Sequence, residues 1–283
     1  MPPTARADLP AAGIPPASLE GWYVLHQTLS VDWPALKSMD PREARETLAS
    51  FAALADEWET GAEPGWSGVY RAAAGSVDFL IVHFRDSLDR LIEAGHEFQL
   101  SPWSDYALVR DECVSVVELG LYALTRDLAG RIDPGDRDAW ERALREALQA
   151  EGRKGFVRRR LEPRQPGDMP YICYYPMDKR RNPGQNWYML PLEERADLMA
   201  AHGTVGRRFA GRIVQVISGS MGLDDWEWAV TLWAADPLEF KAIISEMRYD
   251  AASAEYAEFG PFLVGKRILG VEIGDLLPAA ASR

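Results

Sequence analysis

Apolar positions alternate along several short stretches of the chain and recur every three or four residues along others. The two patterns follow one another in a fixed order. Trp22-Tyr23-Val24-Leu25 opens a strand. Asp40-Pro41 then reads as a capping carboxylate followed by proline at the first helical position, which predicts a helix running to about Trp58. Strands over 68–73 and 77–84 follow, joined by Ala-Gly-Ser. A helix over 87–98, with Leu88, Leu91 and Ile92 as its apolar stripe, and a strand near 113–118 complete the order β-α-β-β-α-β.

After Pro170 the same order returns. Residues 171–176 read as a strand, 192–209 as a helix, 213–218 and 226–233 as two strands, 237–247 as a helix and 262–268 as a last strand. The halves also echo each other in their residues: Asp78-Phe-Leu-Ile-Val-His-Phe84 is answered by Glu227-Trp-Ala-Val-Thr-Leu-Trp233. Each unit has the ferredoxin-like pattern. A sheet with helices on one face only leaves its other face to be covered. The pattern therefore predicts an α+β fold in which two ferredoxin-like β-α-β-β-α-β repeats curl together, barrel-like, as a dimer-like arrangement within one chain. The expected divisions are a Pro/Ala-rich flexible leader (1–18), an N-terminal repeat (19–132), a helical insertion and connector (133–169) with Trp140, Leu144 and Leu148 along one face, and a C-terminal repeat (170–283).

Charge narrows the partners. A formal net charge of −12 argues against nucleic-acid binding, which needs a basic face. Within that acidic chain, residues 153–181 carry nine Lys/Arg against three acids, a local balance of +6. Such an island is either a solvated loop edge or a site for a small anion. Two cysteines, Cys113 and Cys173, are too few for a disulfide framework and fit a reducing compartment. With no apolar run long enough to cross a membrane and no secretory leader, the expected location is the cytoplasm.

Candidate chemistry is sparse. No zinc-spaced Cys/His set, Gly-rich phosphate loop or G-x-S-x-G elbow occurs. Of four histidines, His83 sits in an apolar strand and His96 ends a helix, while His202 follows Met199 by three and Leu198 by four on a helix. A helical histidine on an apolar face is most often a hydrogen-bonded core residue, but it is also how a haem iron is held from one side. In Tyr171-Ile-Cys-Tyr-Tyr-Pro-Met-Asp-Lys-Arg-Arg-Asn182, strand geometry puts Tyr175, Met177 and Lys179 on one face: a phenol, a thioether and a cation.

These words, together with Asn186-Trp-Tyr-Met-Leu-Pro191, His202-Gly-Thr-Val-Gly-Arg207, Phe209-Ala-Gly-Arg-Ile-Val-Gln215 and Glu258-Phe-Gly-Pro-Phe262, closely resemble the coproheme decarboxylases of the chlorite-dismutase-like superfamily. The resemblance is strongest over about 160–269 and looser over 19–150. It implies oxidative decarboxylation of two propionates of iron coproporphyrin III (coproheme) by hydrogen peroxide, giving haem b. It implies His202 as the iron ligand, Tyr175 as the redox-active phenol and Lys179 beside a reacting propionate. Gln215 falls where chlorite dismutases carry Arg, and Arg160, Met177 and Ser253 fall near the porphyrin carboxylates. Trp226 is expected near the porphyrin edge. A homopentamer and transient contact with a ferrochelatase are further implications. A chlorite dismutase or peroxidase using haem b, a non-catalytic haem carrier, and a haem-free module remain the alternatives.

Overall fold

The computed structural model describes residues 13–60, 64–74 and 76–276. In chain order the strands are β1 (Ser18–Val31), β2 (Gly65–Ala72), β3 (Phe79–Arg85), β4 (Ala107–Gly120), β5 (Tyr171–Lys179), β6 (Arg181–Asn182), β7 (Gln185–Asn186), β8 (Ile213–Gly219), β9 (Trp228–Ala234), β10 (Ala257–Phe259) and β11 (Leu263–Arg267). The helices are α1 (Trp33–Ser38), α2 (Pro41–Thr60), α3 (Leu88–Leu100), α4 (Tyr122–Ala129), α5 (Arg137–Gly152), α6 (Gly155–Leu161), α7 (Leu192–Arg207), α8 (Leu238–Met247), α9 (Ala251–Ala254) and α10 (Gly270–Gly274).

The fold is mixed α+β around a large antiparallel sheet. Its strand order is β10-β5-β11-β2-β3-β1-β4-β8-β9, and β9 also pairs with β5, so the sheet closes on itself. Period-two alternation sorts each strand's side chains between the two faces. One set fills the ring: Val24, Tyr70, Val82, Cys113, Tyr174, Val216 and Trp233 form a single buried cluster, with Val157 and Leu161 of α6 at its end. The other set faces helices. In the first half Phe51 of α2 stacks on Trp103 at 4.9 Å, over Phe79 and Ile81. In the second half Ile243 and Met247 of α8 lie over Val230 and Leu232.

Read round the ring in one direction, the first four strands run β2-β3-β1-β4 and the other four β8-β9-β5-β11, second, third, first and fourth strand of each half in both cases. The echoed acids do the same work in both. Asp78 Oδ2 accepts the N–H of Val31 at the end of β1 (2.7 Å), and Glu227 Oε2 accepts the N–H of Lys179 at the end of β5 (2.7 Å).

Several elements differ from the periodicity. β1 starts at Ser18 because Ser18 already pairs with Gly120 of β4. On α3 the buried face is Leu91, Ala94, Gly95 and Phe98, whereas Leu88 and Ile92 are exposed. The 133–169 stretch forms α5 and α6; Trp140, Leu144 and Leu148 are only half-buried, and α5 carries no fully buried residue. Residues 1–12 of the expected leader lie outside the described residues. Next to them, Arg195 of α7 donates to Ile14 O (2.6 Å) and Ala17 N donates to Thr125 Oγ1 of α4 (2.8 Å). No helix among the described residues is long and apolar enough to cross a membrane.

Candidate functional site

A cavity of about 840 Å³ opens between the helix-facing side of β5, β8 and β9 and the helices α4, α5, α7 and α8. That size lies within the usual range for small-molecule sites, about 300–1,000 Å³. Tyr175, Met177 and Lys179 of β5, Trp228, Val230 and Leu232 of β9, and Gln215 and Ile217 of β8 line its sheet side. They share one face because each strand contributes every second residue. Opposite them α7 presents Ala196, Met199, Ala200, His202 and Gly203, so the helix face toward the cavity is largely small. Leu198, expected on that face, is not among the lining residues.

His202 is half-buried, and its Nδ1 lies 2.9 Å from Asp250 Oδ2. Asp250 is buried and also caps α9, accepting Ala252 N–H on its other oxygen at 3.1 Å. A carboxylate on Nδ1 makes Nδ1 the donor and leaves Nε2 with its lone pair. Nε2 has no hydrogen-bond partner among the described residues, so the ring's ligating nitrogen is the free one. Among those residues no three His, Cys, Asp or Glu side chains gather in a metal-holding group. A metal held through His202 would therefore have to bring most of its own ligands, as a porphyrin iron does.

Tyr175 is buried against Phe262, with ring centroids 4.4 Å apart, and Phe259. Burial pushes its phenol well above the ordinary tyrosine range, so it stays protonated. Lys179 is also buried. Its ammonium donates to Ala252 O at 3.0 Å and lies 4.1 Å over the Trp187 ring. Burial lowers its pKa to about 8, against the supporting charges of Asp250 and Glu227. Lys179 is thus tied to the α9 turn that carries Asp250. Ser253 belongs to that same turn, buried at the cavity wall. Arg160, the last cation of α6, is exposed at the margin and has no ion pair among the described residues.

Seven of the eight residues singled out from the sequence, Arg160, Tyr175, Met177, Lys179, His202, Gln215 and Ser253, thus line one cavity. Trp226 does not. It precedes β9 outside the strand, where its ring edge closes on Gly260. Trp228, two residues on, takes the cavity position, with its indole N–H donating to Glu118 Oε1 at 2.8 Å. The shared parity of Trp228, Val230 and Leu232 was the available signal. Glu118, Arg131, Arg248 and Asp250 were not foreseen. Nothing local in the sequence links Asp250 to a histidine 48 residues away. Two of the other histidines, His83 and His26, are buried away from the cavity. His83 is held by Ser67 Oγ (2.8 Å) and Gln27 Oε1 (3.3 Å), and His26 by Thr231 Oγ1 (2.8 Å) with Tyr174 stacked at 4.2 Å.

The basic island does not stay together. Arg180 approaches Glu258 at 3.6 Å, Arg181 approaches Glu227 at 3.7 Å, and Arg164 lies over Trp22. Of the island, Arg160 and Lys179 reach the cavity.

Against known proteins, the family model described as chlorite dismutase matches residues 44–268. Two curated archaeal proteins, both named as candidate haem-binding proteins, are similar along nearly the whole chain. That of Halobacterium salinarum is 40% identical over 277 residues, covering 95% of this chain and 52% of its own. That of Natronomonas pharaonis is 36% identical over 268 residues, covering 94% and 42%. The chain thus spans about half the length of these relatives. Among solved structures, a protein from Thermus thermophilus titled as a novel haem-binding protein superposes with a TM-score of 0.78 at 37% identity, over 92% of this chain and 99% of its own. A variant chlorite dismutase from Candidatus Nitrospira defluvii shares the fold, with a TM-score of 0.67 at 16% identity over 91% and 95%. The match over most of the chain, with relatives at this identity, settles the affiliation: the chain belongs to the chlorite dismutase family.

Proposed function

We propose that the protein is a peroxide-dependent coproheme decarboxylase, taking iron coproporphyrin III as substrate and releasing haem b. The observation that carries the reading is the convergence of Tyr175, Met177, Gln215 and a carboxylate-backed His202 on one cavity. The residues fit an iron porphyrin on their own chemistry. Val230, Leu232, Ile243 and Met247 supply apolar walls for a flat macrocycle, and Arg160, Arg248 and Ser253 supply partners for carboxylates at its edge. The paired strand orders and the matching roles of Asp78 and Glu227 support reading the scaffold as two ferredoxin-like repeats.

The iron, once bound and met by peroxide, supplies the oxidising power. The chain supplies the rest. His202 would hold the metal through Nε2, with Asp250 fixing ring and tautomer. Tyr175, kept protonated by burial, gives up a hydrogen atom and takes one back from the β-carbon of a propionate. Loss of carbon dioxide and one further electron would then leave a vinyl group, the two electrons released per propionate being taken up in the reduction of one hydrogen peroxide to water. Lys179, bound to the α9 turn, positions Asp250 and Ser253 on this reading, in place of meeting a propionate directly. Gln215 offers an amide where the resemblance places Arg in chlorite dismutases, which favours decarboxylation over chlorite turnover by bound haem b.

The test is Tyr175→Phe. The variant should bind iron coproporphyrin III as the parent does and, given peroxide, form no product two carbon dioxides lighter by mass spectrometry. Decarboxylation at the parent rate would refute the role, and a parent protein inert toward coproheme and peroxide would refute the function.

A further inference from the structure

Apart from Arg160, the cations of the α5–α6 turn have no use in the site described so far. Residues 151–162 hold five Lys/Arg and two Glu, so 5 − 2 = +3, inside a chain of net −12. Glu151 is taken by Lys154 at 2.5 Å, and Glu162 lies a loose 3.8 Å from Arg158, whose side chain is 67% exposed. Arg153, Arg159 and Arg160 have no ion pair among the described residues. Three consecutive arginines could be an idle solvated edge. Here they stand on a fixed base, because Val157 and Leu161 anchor α6 in the end of the ring. The same turn exposes Phe156, 54% accessible, with the ammonium of Lys154 6.0 Å from its ring. The surface is also continuous with the site, since Glu151 and Arg160 line the cavity.

We infer that this face, Arg153, Arg158 and Arg159 around Phe156, is an electrostatic capture surface. It draws a planar polycarboxylate out of solution and passes it to Arg160 at the cavity mouth. This rests on the proposed porphyrin substrate and adds how that substrate arrives. Overall the protein repels polyanions, so a local positive field beside the mouth sets the rate of productive encounter. An exposed ring within that field gives a flat ligand a stacking contact on the way in. Such a surface acts on association and leaves the final bound contacts alone.

The test is stopped-flow binding of iron coproporphyrin III, followed by its Soret change, across ionic strength. Arg158→Glu/Arg159→Glu should slow association about ten-fold at ~10 mM salt, within the range for steered encounters. The gap should close by about 0.5 M salt, where the Debye length shrinks to a few ångströms. Dissociation rate and final spectrum should match the parent, which also reports an intact fold. Arg42→Glu/Arg45→Glu on α2 alters net charge equally and should leave association unchanged. Parent-like association by the α6 variant, or equal slowing by both variants, would overturn the inference while leaving the proposed substrate intact. A parent protein that never binds the porphyrin would overturn both.

Discussion

Asp250 serves two donors with two oxygens: Nδ1 of His202 on Oδ2 at 2.9 Å, and the N–H of Ala252 on Oδ1 at 3.1 Å. Asparagine has the same shape but only one oxygen. In Asp250→Asn that oxygen can cap α9 or accept from His202, and cannot do both. If it caps, the amide donor faces Nδ1, the imidazole takes its other tautomer, and the proton moves to Nε2, where a metal needs a lone pair. Iron–porphyrin affinity then falls about 10–100-fold, the usual cost of losing such a support. If the oxygen stays on His202, affinity holds and the cap is lost, at about 1 kcal/mol. Asp250→Ala loses both. The His202 bond adds only modestly to stability, because that ring is 28% exposed and water can replace the partner. Soret titration with an iron porphyrin and urea denaturation of the ligand-free protein separate the outcomes. An Asp250→Asn protein unchanged in both measurements would refute the bifunctional carboxylate.

Two predictions concern the scaffold. A Cβ on Gly21 would collide with the backbone carbonyl of Leu161 where α6 crosses β1, so Gly21→Ala should cost about 3 kcal/mol. A urea midpoint equal to the parent's would refute that contact. His26 is held neutral by burial, its pKa lowered from 6.5 to about 3. Between those values the unfolded chain binds a proton that the folded chain refuses, so stability falls with pH by about 1.4 kcal/mol per unit. In His26→Gln the loss between pH 6.5 and 4 should be visibly smaller, with His83 still contributing in the same direction; an unchanged slope would refute the assignment.

What the sequence disclosed follows from the range over which each signal acts. Alternation within one strand is local, so Tyr175, Met177 and Lys179 could be assigned to one face, and all three line the cavity. Where a strand begins depends on its neighbours. β1 reaches back to Ser18 only because β4 extends to Gly120 to meet it, and β9 starts at Trp228, which turns Trp226 away from the cavity. Long-range polar pairs leave no local mark. Asp250 with His202, Glu118 with Trp228 and His26 with Thr231 each join distant segments whose proximity is created by closure of the sheet or packing of its helices.

The room beneath the helices of the second half also has a compositional cause. Both halves lay helices over a four-strand unit with the same strand order. In the first, the space beneath the helices is filled by Leu48, Phe51 and Trp58 of α2, together with Trp103, all buried. In the second, α7 offers Ala196, Ala200 and Gly203 at the corresponding layer, and small side chains cannot reach the sheet. Unfilled space in a protein interior forfeits packing contacts, so a cavity this large is sustained by stability gained elsewhere in the fold. The filled first half and the single core cluster inside the ring are where these contacts lie. The difference between a filled layer and an open one is thus written in side-chain volume on α2 and α7, two helices that share no sequence motif.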